Sequence, residues 1–236
     1  MKTTLLTLTI AVFFAASFIA CSSSSETTPT QSNHRLKTGD AFTYHQYDTE
    51  LDGTKIDGSD TTVVATIVGT NLSVEGRTDV AEIHGVDTVD IAVVNDSMFW
   101  ILQHEVAIAP GCSIPPIWIP FDTKITSRMM LDSTIATKLN GMNAMVSIKV
   151  EVNYTGKGTS VINGKTFTTE NFDKIVTVVV SIPSAGDFTT VVTITNSFSP
   201  ELGYLSLHAE RSDSDSQFAP FPNGVTVSEL TGVSLK

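Results

Sequence analysis

Chemistry in this 236-residue chain would have to come from a small set of side chains. Five histidines are present, His34, His45, His84, His104 and His208, with two cysteines, Cys21 and Cys112. A zinc or copper site needs such ligands at short spacing or on elements that converge. Here each histidine falls in a different segment, which predicts hydrogen-bonded strand histidines and no metal site. Cys112 and His104 have the residue types of a nucleophile and its base. Cys112, however, is flanked by Pro110-Gly111 and Pro115-Pro116, with no local signature of a cysteine hydrolase. The acidic stretch Asp48, Glu50, Asp52, Asp57 and Asp60 is offset only by Lys55. Calcium takes such oxygen ligands, but the EF-hand spacing is absent, and Asp52-Gly53 and Asp57-Gly58 are turn residues. Asp213-Ser214-Asp215 reads the same way. There is no Gly-x-Ser-x-Gly elbow, Walker loop, His-Glu-x-x-His or Cys-x-x-Cys. The residues predict no catalytic group, no metal and no cofactor.

Two apolar, proline-rich stretches are the stronger candidates for function. Ile108 to Phe121 (IAPGCSIPPIWIPF) carries Ile114, Ile117, Trp118, Ile119 and Phe121 among four prolines. Proline removes ladder donors, so a long loop is expected there, not a central strand. Gln217 to Pro222 (QFAPFP) repeats the character with Phe218 and Phe221. Both stretches could fold over an open end of the body and plug its core. Alternatively, one or both line a groove for a lipid, a peptide or a partner protein, since aromatic side chains on a stiffened loop lose little entropy on binding.

The elements that must position these groups read as strands. Thr (33) and Val (24) make up nearly a quarter of the chain, and β-branched residues fit pleated surfaces better than helices. Ala144, Val146, Ile148, Val150, Val152 and Tyr154 alternate with Ser147, Lys149, Glu151 and Asn153. That period of two predicts an antiparallel strand with one wet face. Further strands are expected over 42–47, 61–68, 72–83, 86–94, 97–103, 172–182, 189–197 and 204–211. Asp52-Gly53, Asn95-Asp96, Asn140-Gly141, Asn163-Gly164 and Ala185-Gly186 mark turns between strands. Arg128 to Leu139 is the one weak helix candidate. About ten strands cannot stay flat, so an all-β antiparallel meander curled into a barrel or half-barrel is expected, with a β-sandwich as the alternative.

Charge excludes some partners. The chain has 25 acids and 14 bases, a net of −11. Its bases are scattered, with no cluster to neutralise a run of phosphates, which argues against nucleic acid. The same negative charge disfavours anionic membrane surfaces as a dock for the body.

The N-terminus sets an address. Lys2 precedes an apolar run from Leu5 to Ala16, too short for a convincing spanning helix but suited to a signal-peptide core. The run ends in Phe18-Ile19-Ala20-Cys21, which resembles the bacterial lipobox, with Phe18 where Leu is usual. That resemblance implies that residues 1–20 are a lipoprotein signal peptide and that Cys21 is lipidated on Sγ and becomes the mature N-terminus. Residues 21–37, rich in Ser and Thr, are expected to be a disordered tether, and 38–236 a single β-rich domain. Lipidation would also leave Cys112 without a disulfide partner. With two or three acyl chains, such a protein is stably anchored without spanning the bilayer. Ser22 after the lipidated cysteine, rather than Asp, points to the outer membrane.

Gly164-Lys165-Thr166-Phe167, followed some thirty residues later by Ser197-Phe198-Ser199-Pro200-Glu201-Leu202-Gly203-Tyr204-Leu205, is similar to a pattern in uncharacterised β-rich envelope lipoproteins. The opening Gly39-Asp40-Ala41-Phe42-Thr43-Tyr44 is similar to them as well. The resemblance implies architecture and location, and carries no catalytic residue. The expectation is a non-enzymatic, lipid-anchored envelope protein that binds a hydrophobic ligand or a protein partner through a curved sheet. An accessory subunit of an envelope complex is the second reading, and an enzyme of unrecognised type the third.

Overall fold

The computed structural model describes residues 36–86, 88–95, 97–109, 112–139, 141–214 and 223–236. They form fourteen strands: β1 (Ala41–Thr49), β2 (Thr61–Val74), β3 (Arg77–His84), β4 (Thr88–Asn95), β5 (Met98–Gln103), β6 (Val106–Ala109) and β7 (Cys112–Ile114). The series continues with β8 (Ile117–Asp122), β9 (Ser127–Leu139), β10 (Met142–Ile162), β11 (Lys165–Ile182), β12 (Gly186–Ser199), β13 (Tyr204–Ser214) and β14 (Gly224–Ser234). Twelve of them make one antiparallel sheet in the order β8-β5-β4-β3-β2-β1-β14-β13-β12-β11-β10-β9, and β6 pairs with β7 in a separate hairpin. The sheet begins at β8 and ends at β9, successive strands in the chain, and curls until it is nearly closed into a barrel. The expected curled meander is present, as a single curved sheet and not a sandwich.

Alternation sets which side chains face inward. On β10, Val146, Ile148, Val150 and Val152 are all buried, while Lys149 is exposed. The same rule on β11 points Phe172, Lys174, Val176, Val178 and Val180 into the lumen, each paired across the ladder with an inward residue of β10. The middle of the lumen is filled by phenyl rings from strands far apart in the sheet. Phe99 stacks on Phe121 at 4.7 Å and on Phe198 at 4.3 Å, and meets Phe172 edge-on at 5.5 Å. These rings weld the two halves of the sheet together.

Turn chemistry follows the sequence where left-handed backbone is needed. Asn163 and Gly164 have φ of 51° and 75° and close the β10–β11 hairpin, the pattern of a two-residue turn that matches strand twist. The turn at 199–203 closes on Ser199 O, which accepts from the N–H groups of Leu202 and Gly203. An ion pair of 3.6 Å between Lys165 and Glu201 joins these two turns.

Three expectations need correction. The stretch 108–121 is not a long loop: the β6–β7 hairpin and strand β8 occupy most of it. Pro115-Pro116 separates the two, and Pro120 sits on β8 opposite Trp100, where an edge strand tolerates a missing donor because only one flank is paired. Arg128 to Leu139 is not helical but belongs to β9, whose inward Leu131 and Ile135 pair with Val150 and Val146. The expected strand 72–83 is broken by a turn at Glu75-Gly76, with φ of 43° and 82°, and β2 reaches it through bulges near Gly69 and Leu72.

The chain enters and leaves the sheet at the same end. Asp40, 3% exposed, accepts from the backbone N–H of Lys37 through Oδ2 and from that of Lys236 through Oδ1, both at 2.8 Å. Residues 36–40 therefore lie where β1 begins and β14 ends.

Candidate functional site

The apolar residues singled out in the sequence do not meet in one groove. Ile119 and Phe121 point inward from β8 and are 1% exposed, within the phenyl core. Ile114 is also buried, and Ile117 packs against the core from the start of β8. Trp118 points outward, where its indole N–H donates to Glu75 O at 3.1 Å. Arg77 lies over both Trp118 and Trp100, at 5.6 and 4.9 Å from the ring centroids. Phe218, Phe221 and Cys21 lie outside the described residues.

The described histidines are held apart, each by its own partner. Nε2 of His45 donates to Asp60 at 2.6 Å, His84 pairs with Glu82 at 2.7 Å, and His104 faces Asp90 at 3.5 Å. Burial raises the pKa of Asp90, and its Oδ1 has no hydrogen-bond partner. In the acidic stretch, Asp52 accepts from Thr54 N, Asp48 from the Thr226 hydroxyl, and Asp60 from Lys55. That is the bonding of a turn and its flanks. No three or more of His, Cys, Asp and Glu cluster as metal ligands among the described residues.

A concave site lies elsewhere, inside the barrel towards the end opposite residues 36–40. This cavity of about 320 Å³ is walled by β1, β2, β3, β4, β13 and β14. Tyr44, Val63, Ala65, Ile83, Val86, Val89 and Leu205 give it an apolar lining. Gln46, His208, Glu210, Thr226 and Ser228 form a polar wall on three adjacent strands. Register explains the wall: Gln46 pairs with Ser228, which pairs with His208, and Glu210 pairs with Thr226. Alternation thus turns all five into the lumen.

The state of His208 follows from its bonds. Its Nδ1 lies 2.8 Å from Oδ1 of Asn196. An amide oxygen only accepts, so Nδ1 carries the proton and Nε2 presents a lone pair. Burial, helped by the nearby Lys174 ammonium, pulls the pKa of His208 down to about 4, so the ring is neutral at pH 7. Lys174 is itself pulled down to about 8 by burial, with the Glu210 carboxylate acting in the opposite sense. Among the described residues, the side chains of Gln46, Glu210 and Ser228 and Nε2 of His208 have no hydrogen-bond partner. The apolar side is better tied down: the Tyr44 hydroxyl donates to Leu205 O at 2.6 Å.

A second concavity, of about 440 Å³, lies where β10 comes close to β14. It is lined largely by Thr159, Ser160, Thr169, Asn171, Ser206 and Thr231 and lacks a continuous apolar floor. The outer wall of the barrel carries Lys149, Glu151, Asp173 and Arg211, whereas a membrane-crossing wall needs an apolar band.

Sequence reasoning missed the cavity, although a signal was present. Lys174 occupies an inward slot of the series Phe172, Val176, Val178 and Val180, and a charge in such a slot marks a lumen that is not uniformly apolar. His208 and Glu210 carry the same signal on β13, but their parity could be assigned only once the register was known.

No protein-family model matches the chain, and no curated protein or solved structure matches it.

Proposed function

We propose that this chain is a lipid-anchored bacterial cell-envelope protein that holds a small apolar or amphipathic ligand without transforming it. The observation that carries the reading is the cavity of about 320 Å³, apolar on most sides and lined on one by polar groups with unused bonding capacity. Small-molecule sites share that composition, in which apolar surface gives affinity and a few polar atoms give orientation. Anchoring is supported by Phe18-Ile19-Ala20-Cys21 and the Ser-rich stretch after it. A tether entering at residue 36 would reach the barrel at the end where β1 begins, the end opposite the cavity.

The non-enzymatic reading is supported by the state of His208. A general base works best with a pKa near the working pH, and a group held at about 4 is a poor base at neutrality. Its bonded partner is the amide of Asn196, which neither activates a nucleophile nor relays a proton.

Native mass spectrometry of the full chain extracted from membranes tests both parts. The expected species begins at Cys21, carries a diacylglycerol, and retains a non-covalent ligand that is lost when Val63→Trp fills the cavity. An unlipidated product, processing indifferent to globomycin, or a ligand retained by the filled variant would overturn the corresponding part.

A further inference from the structure

We infer that the cavity selects ligands whose head group is uncharged or cationic and donates hydrogen bonds, a hydroxyl above all, and that it rejects carboxylates. This rests on the cavity being a binding site, as proposed above, and adds the chemistry of what enters it.

The argument is an inventory of lone pairs and protons on the polar wall. Nε2 of His208 accepts only, because Nδ1 holds the ring proton against Asn196. The Glu210 carboxylate also accepts only. Gln46, Ser228 and the Tyr204 hydroxyl, which also lines the cavity, can do either, and the Thr226 hydroxyl already donates to Asp48 at 2.7 Å. Two obligate acceptors therefore face the cavity from β13, and its lining contains no obligate donor. Lys174, the buried cation of the lumen, acts electrostatically on both His208 and Glu210, but it lies outside the cavity lining and donates a hydrogen bond to Gln103 Oε1 at 2.6 Å.

A hydroxyl placed against this wall donates to His208 or Glu210 and accepts from Gln46 or Ser228, so its own proton and lone pairs are met. A carboxylate would set its lone pairs against those of Nε2 and its charge against Glu210. Leaving such acceptors unpaired or opposed is a strong way to discriminate between ligands. The opposite wall, with Val63, Ala65, Ile83 and Val89, takes the apolar body.

The test uses the full chain in lipid nanodiscs, titrated at pH 7 with decanol and with decanoate. Val63→Trp and Val89→Trp serve as cavity-filled controls for partition into lipid, each checked for a native strand spectrum. Decanol should bind in a way that both filled variants abolish, with decanoate at least about tenfold weaker. His208→Leu should weaken decanol about fivefold, the loss of one hydrogen bond, and should narrow the gap between the two ligands. Decanoate binding as tightly as decanol, still lost in the filled variants, overturns the head-group inference and leaves the binding cavity standing. Binding of neither ligand beyond the filled controls overturns both.

Discussion

Nζ of Lys174 on β11 donates a 2.6 Å hydrogen bond to Oε1 of Gln103 on β5, across the lumen and between strands with seven others between them in the sheet. It is a tie-bar above the phenyl core, formed by a cation that burial has weakened to a pKa of about 8. Gln103→Leu deprives that ammonium of its acceptor and should destabilise the barrel by about 2 kcal/mol, the usual worth of a bond to a buried charge. Adding Lys174→Met removes the stranded charge, and the double variant should recover most of the loss. Urea unfolding of the four-member cycle measures this. Strictly additive single effects would refute the link.

The acid side of the stability profile should carry the signature of His208. Its folded pKa of about 4 lies below the ordinary 6.5, so the unfolded chain takes up this proton first. Stability from this group is complete above pH 6.5, declines as pH falls from 6.5 to 4, and changes no further below that. The total is on the order of 3 kcal/mol. Of the charged groups nearby, Lys174 stays protonated through this window, and Glu210 is common to both proteins compared. His208→Gln can keep the bond to Asn196 without titrating. The wild type should therefore lose stability relative to this variant between about pH 7 and pH 4, read from urea midpoints. A constant difference would show that the ring is not buried and neutral.

Phe99 touches Phe121, Phe172 and Phe198 at once. Phe99→Ala leaves a void where the two halves of the sheet meet and should cost about 4 kcal/mol. Phe99→Leu, which keeps most of the volume, should cost less than half of that. Equal losses would mean that the rings do not form one packed unit.

Asp40 ties the segment before β1 to the segment after β14. Asp40→Ala abandons the N–H groups of Lys37 and Lys236 together and should cost about 2 kcal/mol. Asp40→Asn keeps one acceptor oxygen and should lose about half. Amide exchange at Lys37 and Lys236 should accelerate in both variants, most in Asp40→Ala. If those two amides exchange alike in all three proteins, the bonds are not formed in solution.

The sequence was legible where chemistry is local. Alternation over Ala144 to Tyr154 read correctly as β10, and Asn163-Gly164 read correctly as a hairpin turn, because side-chain parity and positive φ are properties of neighbouring residues. Pro120 misled, because proline argues against a paired strand only when both flanks are occupied, and edge position depends on the whole sheet. Arg128 to Leu139 gave no clean alternation because β9 is also an edge, exposed over much of its length, with Met129 outward and solvent-facing. The cavity was illegible for a third reason. Gln46, His208, Glu210 and Ser228 become one wall only through the pairing of β1 with β14 and of β14 with β13, and no spacing along the chain encodes that register.

That same pairing governs how the barrel assembles. Apart from β14 against β1, and β5 against β8 over the small hairpin, every ladder of the large sheet joins successive strands, so two meanders, β1 to β8 and β9 to β14, can zip from local hairpins. The weld between them needs residues near 45 and near 229 to meet, a large loop closure and hence a slow step in refolding. During synthesis, the free edge of β1, with His45 and Tyr47, must wait unpaired until β14 has emerged. A molecule caught at that stage has two half-sheets, each with a sticky margin, and a neighbouring copy's β14 could answer in place of its own. Refolding at rising concentration should then yield strand-exchanged dimers in competition with monomer.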